Sequence, residues 1–215
     1  MIDTYRHKGM RRNLVRELEG KGISSEAVLN AFMALPRHYF LDEAFAEWAY
    51  QDKPFPIGKE QTISQPYTVA YQTELLNVKP GQKILEIGTG SGFQAAILGL
   101  LGANVNTIER HQSLHNSAAD LLSRIGIKNV RCFYGDGYKG LPALAPFDRI
   151  LLTCGAAELP EALLTQLAIG GQMVIPLGEG VQRMIRITRV GESSFEREQF
   201  GQFRFVPFLK GKEGA

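Results

Sequence analysis

The residues best able to do chemistry stand in one short run, Glu86-Ile87-Gly88-Thr89-Gly90-Ser91-Gly92. Glycines at alternate positions let the chain turn tightly and leave bare backbone against which a ligand can lie. If a helix starts just beyond, its free amide hydrogens point at the same ligand. A dinucleotide site has the spacing G-x-G-x-x-G, and its last glycine would fall on Phe93 here. The run instead reads G-x-G-x-G, with an acidic residue two places ahead of the first glycine. An acidic side chain suits a ligand that carries an ammonium and a sulfonium better than one that carries a pyrophosphate. Glu86, Gly88, Thr89, Gly90 and Ser91 are therefore the first candidates for ligand contact.

Further candidates end other apolar runs. Glu109 closes ANVNTIE, and a carboxylate at such a strand end can accept both hydroxyls of a ribose. Asp136 lies between Gly135 and Gly137; its side chain can accept from an adenine amino group while the backbone of Gly137 meets the ring. Ile169-Gly170-Gly171-Gln172 makes a tight entry to a later strand. Taken in order, these features point to S-adenosylmethionine and away from NAD. No Ser-His-Asp set or carboxylate pair stands out. His111 and His115 have helical spacing, but without acidic or cysteine partners they read as surface residues, and no metal site is expected. His38 reads as a packed, hydrogen-bonded residue. Cys132 and Cys154 lie in apolar runs and read as buried free thiols.

The elements that must position these residues follow from periodicity. Residues 11–35 read as two helices, the second capped by Ser24, with Glu26 in its first turn and Val28, Leu29, Phe32 and Leu35 on one face. Pro36 ends it. Residues 36–66 read as irregular, and a long irregular stretch is more often functional than idle. From Val69 the chain alternates helical and strand-like runs: strands at 83–88, 103–109, 129–136, 148–154 and 171–178, helices near 93–101, 112–125 and 158–168. This is the pattern of a doubly wound, mostly parallel α/β sheet, with ligands beyond the carboxyl ends of its strands. Runs 184–190 and 195–208 have no helix between them and should pair antiparallel at one edge. A single domain is expected over 1–215, with N-terminal helices and a substrate loop in 1–66 and the cofactor core and edge strands in 67–215.

The 215 residues carry 24 Lys and Arg against 22 Asp and Glu, a net charge of +2 that gives no footprint for nucleic acid. Basic residues Arg6, Lys8, Arg11, Arg12 and Arg16 read as the solvated face of a first helix. Neither a signal segment nor a membrane span is evident, and with unpaired cysteines this favours the cytoplasm.

One succession carries more. Val28-Leu29-Asn30-Ala31, Pro36-Arg37-His38-Tyr39-Phe40, Ala49-Tyr50, Pro56-Ile57-Gly58 and Gln61-Thr62-Ile63-Ser64-Gln65-Pro66 lead into LEIGTGSGFQAA, TIER (107–110), GDG (135–137), GGQMVIPLG and Arg204-Phe205-Val206-Pro207. This order resembles the protein-L-isoaspartate O-methyltransferase family from about residue 11 to 209. The resemblance implies a Rossmann-like class I methyltransferase with the family's variant edge-strand order. It implies methyl transfer from S-adenosylmethionine to the carboxylate of L-isoaspartyl residues in damaged peptides and proteins, leaving S-adenosylhomocysteine. The loop would lie over the methyl group, with the Ser64 hydroxyl touching the acceptor and Thr62 and Ile63 giving backbone contacts. An isoaspartyl carboxylate, with a pKa of about 4, is already ionised at neutral pH, so no general base is needed. Composition alone leaves open a small-molecule acceptor or a protein that binds without turnover. Glu60 stands where the family usually has Gly, Phe93 where it has Tyr, and the tail after Pro207 departs from it.

Overall fold

The computed structural model describes residues 2–214. Helices α1 (Tyr5–Gly20) and α2 (Glu26–Ala34) open the chain. The cap of α2 is Ser25, whose hydroxyl accepts from Val28 N, and not the expected Ser24. Ser24 is drawn aside instead: its amide and hydroxyl both donate to Glu74 Oε1, at 2.8 and 3.1 Å. Arg11 also departs from the solvated face expected of it. It is 6% exposed and forks onto both oxygens of Asp3 while reaching Tyr50 Oη.

The stretch 36–66 is more ordered than its sequence suggests. Two 3-10 segments, Arg37–Phe40 and Glu43–Trp48, lead to a small hairpin of β1 (Phe55–Gly58) and β2 (Gln61–Ile63). Gly58 pairs with Gln61, so Lys59 and Glu60 form a two-residue turn, with φ of 53° and 56°. That geometry favours Asn-Gly and similar pairs, which is why Lys-Glu gave no hairpin signal. Trp48 is 46% exposed, whereas Tyr50 is buried in the same apolar cluster as the N-terminal helices.

Helix α3 (Pro66–Leu76) starts with proline at its first turn and ends on Asn77 in the left-handed region. The alternation then runs as read: β3 (Lys83–Ile87), α4 (Phe93–Leu100), β4 (Asn104–Glu109), α5 (Gln112–Arg124), β5 (Val130–Tyr134) and β6 (Phe147–Leu152). The helix expected at 158–168 shrinks to one turn, α6 (Glu161–Leu164). Gln166 is 4% exposed and ties Leu141 N, Lys139 O and Ala162 O together, so β7 (Leu167–Leu177) begins straight after it. Strands β8 (Gln182–Arg189) and β9 (Phe195–Phe203) finish the sheet.

The sheet order is β5-β4-β3-β6-β7-β8-β9, parallel through β7 and antiparallel across its last two pairs. Strand β9 stops short of the expected residue 208 because the chain turns back over the sheet ends. Gly155 N donates to Val206 O and Phe208 N to Gly155 O, each at 2.8 Å. One apolar cluster joins α1 and α2 to α3, α4 and α5, so the N-terminal helices share a core with the helices of the sheet.

Candidate active site

All the glycine-turn residues fall at the carboxyl end of β3. Gly88, Gly90 and Gly92 have φ of 93°, 52° and 86°, a region that L side chains avoid. A Cβ on Gly88 would also lie 2.5 Å from Thr153 Oγ1, whose single hydrogen faces the carbonyls of Ile87 and Gly88, at 2.9 and 2.7 Å. The turn is held from the next strand: Glu109 Oε2 accepts from Gly90 N at 2.9 Å and Oε1 from His111 N at 3.0 Å.

Three hollows meet around this turn. A cavity of about 540 Å³ is lined by Gly88, Thr89, Gly90, Ser91, Glu109 and the hairpin residues Gln61 to Ser64. A second, of about 430 Å³, shares Gln61, Gly88, Glu109 and Cys154 with it and extends to Gly137, His111 and Phe208. An open groove shares Thr62, Ser64, Thr153 and Val206 with the first cavity and runs on to Tyr67, Phe203 and Arg204. Thr62, Ile63, Ser64, Gly88, Thr89, Gly90, Ser91, Glu109 and Gly137 are therefore brought together.

Two expected residues are not in any of these linings. Glu86 is wholly buried under the turn, and neither carboxylate oxygen has a hydrogen-bond partner. Burial pushes its pKa up to about 8; Thr107 draws it down, and the charge of Glu109 raises it further. The Thr107 hydroxyl is already bonded to Thr89 at 2.7 Å. Asp136 accepts from Tyr138 N at 3.0 Å, shaping the turn that presents Gly137. A Cβ at Gly137 would meet Ile87 at 2.6 Å and Phe208 at 2.9 Å, so only glycine fits there.

His111 was expected at the surface but is 8% exposed, with Nδ1 3.4 Å from Glu213 Oε2. His38 is packed as expected, 2.7 Å from Tyr50 Oη and stacked on His7. Cys154 is buried and Cys132 half-buried, both as free thiols.

Arg37 and Asp52 were missed. Arg37 is 1% exposed and donates to the carbonyls of Ala49, Lys53 and Ser64. Burial lowers its pKa to about 9, against the opposing charges of Asp52 and Tyr50. Asp52 accepts from Tyr67 N, Gln65 Nε2 and Lys21 Nζ, at 2.7, 2.9 and 2.6 Å. Together they fix the loop that carries Ser64. Helix α3 has no side-chain cap, so the Ser64 hydroxyl is not committed to one.

The protein-L-isoaspartate(D-aspartate) O-methyltransferase family matches residues 9–213. The chain belongs to this family. A protein-L-isoaspartate O-methyltransferase from Flavobacterium johnsoniae is 54% identical over 212 residues, covering 99% of this chain and 100% of its own. One from Salinibacter ruber is 49% identical, covering 98% of this chain and 95% of its own. A solved β-aspartate methyltransferase from Plasmodium falciparum, in complex with S-adenosyl-L-homocysteine, superposes with a TM-score of 0.82 at 26% identity, covering 95% of this chain and 98% of that one.

Proposed function

We propose that this protein transfers a methyl group from S-adenosylmethionine to the α-carboxylate of L-isoaspartyl residues in damaged peptides and proteins, as a repair enzyme. One observation carries the reading: Thr62 and Ser64, with Thr153 and Val206, line both the glycine-turn cavity and the groove. A group held in one hollow therefore faces a group held in the other at these residues.

The residues present fit the cofactor. The turn offers bare backbone at Gly88, where a Cβ would strike Thr153, Glu109 has further lone pairs for ribose hydroxyls, and the hollow lined by Ile108, Gly137 and Phe208 suits a flat ring. When bound, S-adenosylmethionine supplies a methyl group on a sulfonium, which an acceptor oxygen displaces in line to leave S-adenosylhomocysteine. The chain's own part is alignment and exclusion of water, and well-oriented reactants reach effective molarities on the order of 10⁵ to 10⁸ M. Ser64 is the donor we assign to hold the acceptor carboxylate. Thr62 and Ile63 serve as backbone contacts, and Gly88, Thr89, Gly90 and Ser91 as the floor. Cys154 also lines the cavity, but burial pushes its thiol far above neutrality, so it does not compete as a nucleophile.

The chain acts as one domain, in which residues 1–66 carry the acceptor loop and 67–215 the cofactor core. No helix among the described residues is long and apolar enough to cross a membrane. Free, unpaired cysteines support a cytoplasmic setting, and the near-neutral charge supports a protein acceptor over a nucleic acid.

The test uses two peptides identical except for L-isoaspartate or L-aspartate at one site, incubated with methyl-labelled S-adenosylmethionine. Base-labile label on the isoaspartyl peptide alone is expected. Label on neither peptide, with the cofactor still bound, would overturn the acceptor.

A further inference from the structure

One buried side chain of the glycine-turn cavity holds an acceptor with no donor. Gln94, in the first turn of α4, is 7% exposed and lines the cavity with Gly88 to Ser91 and Ser64. Its Nε2 donates to Thr73 Oγ1 at 3.0 Å, while its Oε1 is buried without a hydrogen-bond partner.

The direction of this amide follows from its neighbour. The Thr73 hydroxyl has a single hydrogen and gives it to Val69 O, at 2.7 Å. Toward Gln94 it can therefore only accept. A flipped amide would set Oε1 against an oxygen that has no hydrogen left to give. The atom left over on Gln94 is thus a carbonyl oxygen, and its ligand must be a donor. A buried acceptor without a donor is unfavourable, so this oxygen suits a cation or an N–H group in the cavity.

We infer that Gln94 Oε1 accepts a hydrogen bond from the α-ammonium of the cofactor's methionine moiety, with Thr73 as the positioning residue that fixes the amide. The inference rests on the cofactor reading above. Of the cofactor's donors, the ribose hydroxyls and the adenine amine belong at the Glu109 and Gly137 end. The ammonium is what remains for the cavity under Thr62 and Ser64. The acidic residue that the sequence offers for this role, Glu86, lies outside the lining.

Titration calorimetry with S-adenosylhomocysteine, and with the analogue whose amino group is replaced by hydrogen, tests this on the whole chain. Wild type is expected to prefer S-adenosylhomocysteine by roughly tenfold or more, as for a hydrogen bond to a charged group. Gln94→Met should bind both ligands alike, with its affinity for the analogue unchanged. Thr73→Val should lose most of the preference and Thr73→Ser should keep it, which a merely structural threonine would not explain. Equal affinity of wild type for the two ligands would overturn the assignment without recourse to any variant. So would a preference that survives in Gln94→Met, or an equal loss of both ligands there. Wild type that binds neither ligand would overturn the cofactor reading itself, a result distinct from these.

Discussion

The floor and the roof of the cleft are built in opposite ways. The floor, from β3 into α4, reaches left-handed backbone with glycines and is braced by strand-end side chains, Glu109 and Thr153. The roof, the β1–β2 hairpin, reaches the same region with Lys59 and Glu60, residues that pay a steric penalty there. It is held by side chains outside the hairpin: Arg37 on Ser64 O, Asp52 on Gln65 and Tyr67, and Glu213 on Lys59 at 2.9 Å. The floor takes its shape from its own glycines, and the neighbouring strand ends only steady it. The roof has its place only because tertiary anchors hold it, and it carries the residue that meets the acceptor. Binding and transfer should therefore be separable by mutation.

Three substitutions probe that contrast. Arg37→Met removes a buried cation and leaves the carbonyls of Ala49, Lys53 and Ser64 without donors. A loss of about 3–5 kcal/mol in denaturant stability is expected, as for breaking a buried charged network. Methyl transfer should fall more than S-adenosylhomocysteine affinity; equal losses would show that roof and floor are one unit. Glu86→Gln acts on the floor. The folded protein keeps the Glu86 proton up to about pH 8, whereas the unfolded chain releases it near 4.5. Stability therefore falls as pH rises between these values, by up to about 1.4 kcal/mol per pH unit. The glutamine variant should flatten this profile in the absence of cofactor, matching wild type near pH 4 and exceeding it by a few kcal/mol (order of magnitude) at pH 8. An unchanged profile would mean that the carboxyl is solvated. Glu60→Gly is the smallest change. Relief of left-handed strain, less the extra freedom of glycine in the unfolded chain, should add about 0.5–1 kcal/mol. A melting temperature that falls would mean that the turn is not strained.

Why the floor was legible and the roof was not has a physical basis. Strand-helix alternation and glycine spacing are local signals, and they put Gly88 and Gly90 in the turn after β3 and Glu109 at the end of β4, where the structure has them. The spacing could not say which way Glu86 faces, because successive residues of a strand point to opposite sides and Glu86 pairs within the sheet with Thr107 and Leu151. The hairpin was hidden because Lys59-Glu60 carries no turn residue. Arg37 and Gln94 were hidden because their partners, the Ser64 carbonyl and the Thr73 hydroxyl, are 27 and 21 positions away. A side chain that serves a remote backbone atom leaves no periodic trace. The tail was hidden for the same reason, since Glu213 meets Lys59 across 154 positions.

Ser64→Ala tests the division of labour most directly, with S-adenosylhomocysteine affinity and kcat/KM for an isoaspartyl peptide measured on the same preparation. If the floor holds the cofactor and the roof presents the acceptor, affinity should stay within about twofold while kcat/KM falls roughly 100-fold, the usual size of effect for losing one donor at a reacting oxygen. A parallel loss of cofactor affinity, or transfer at the wild-type rate, would contradict the account.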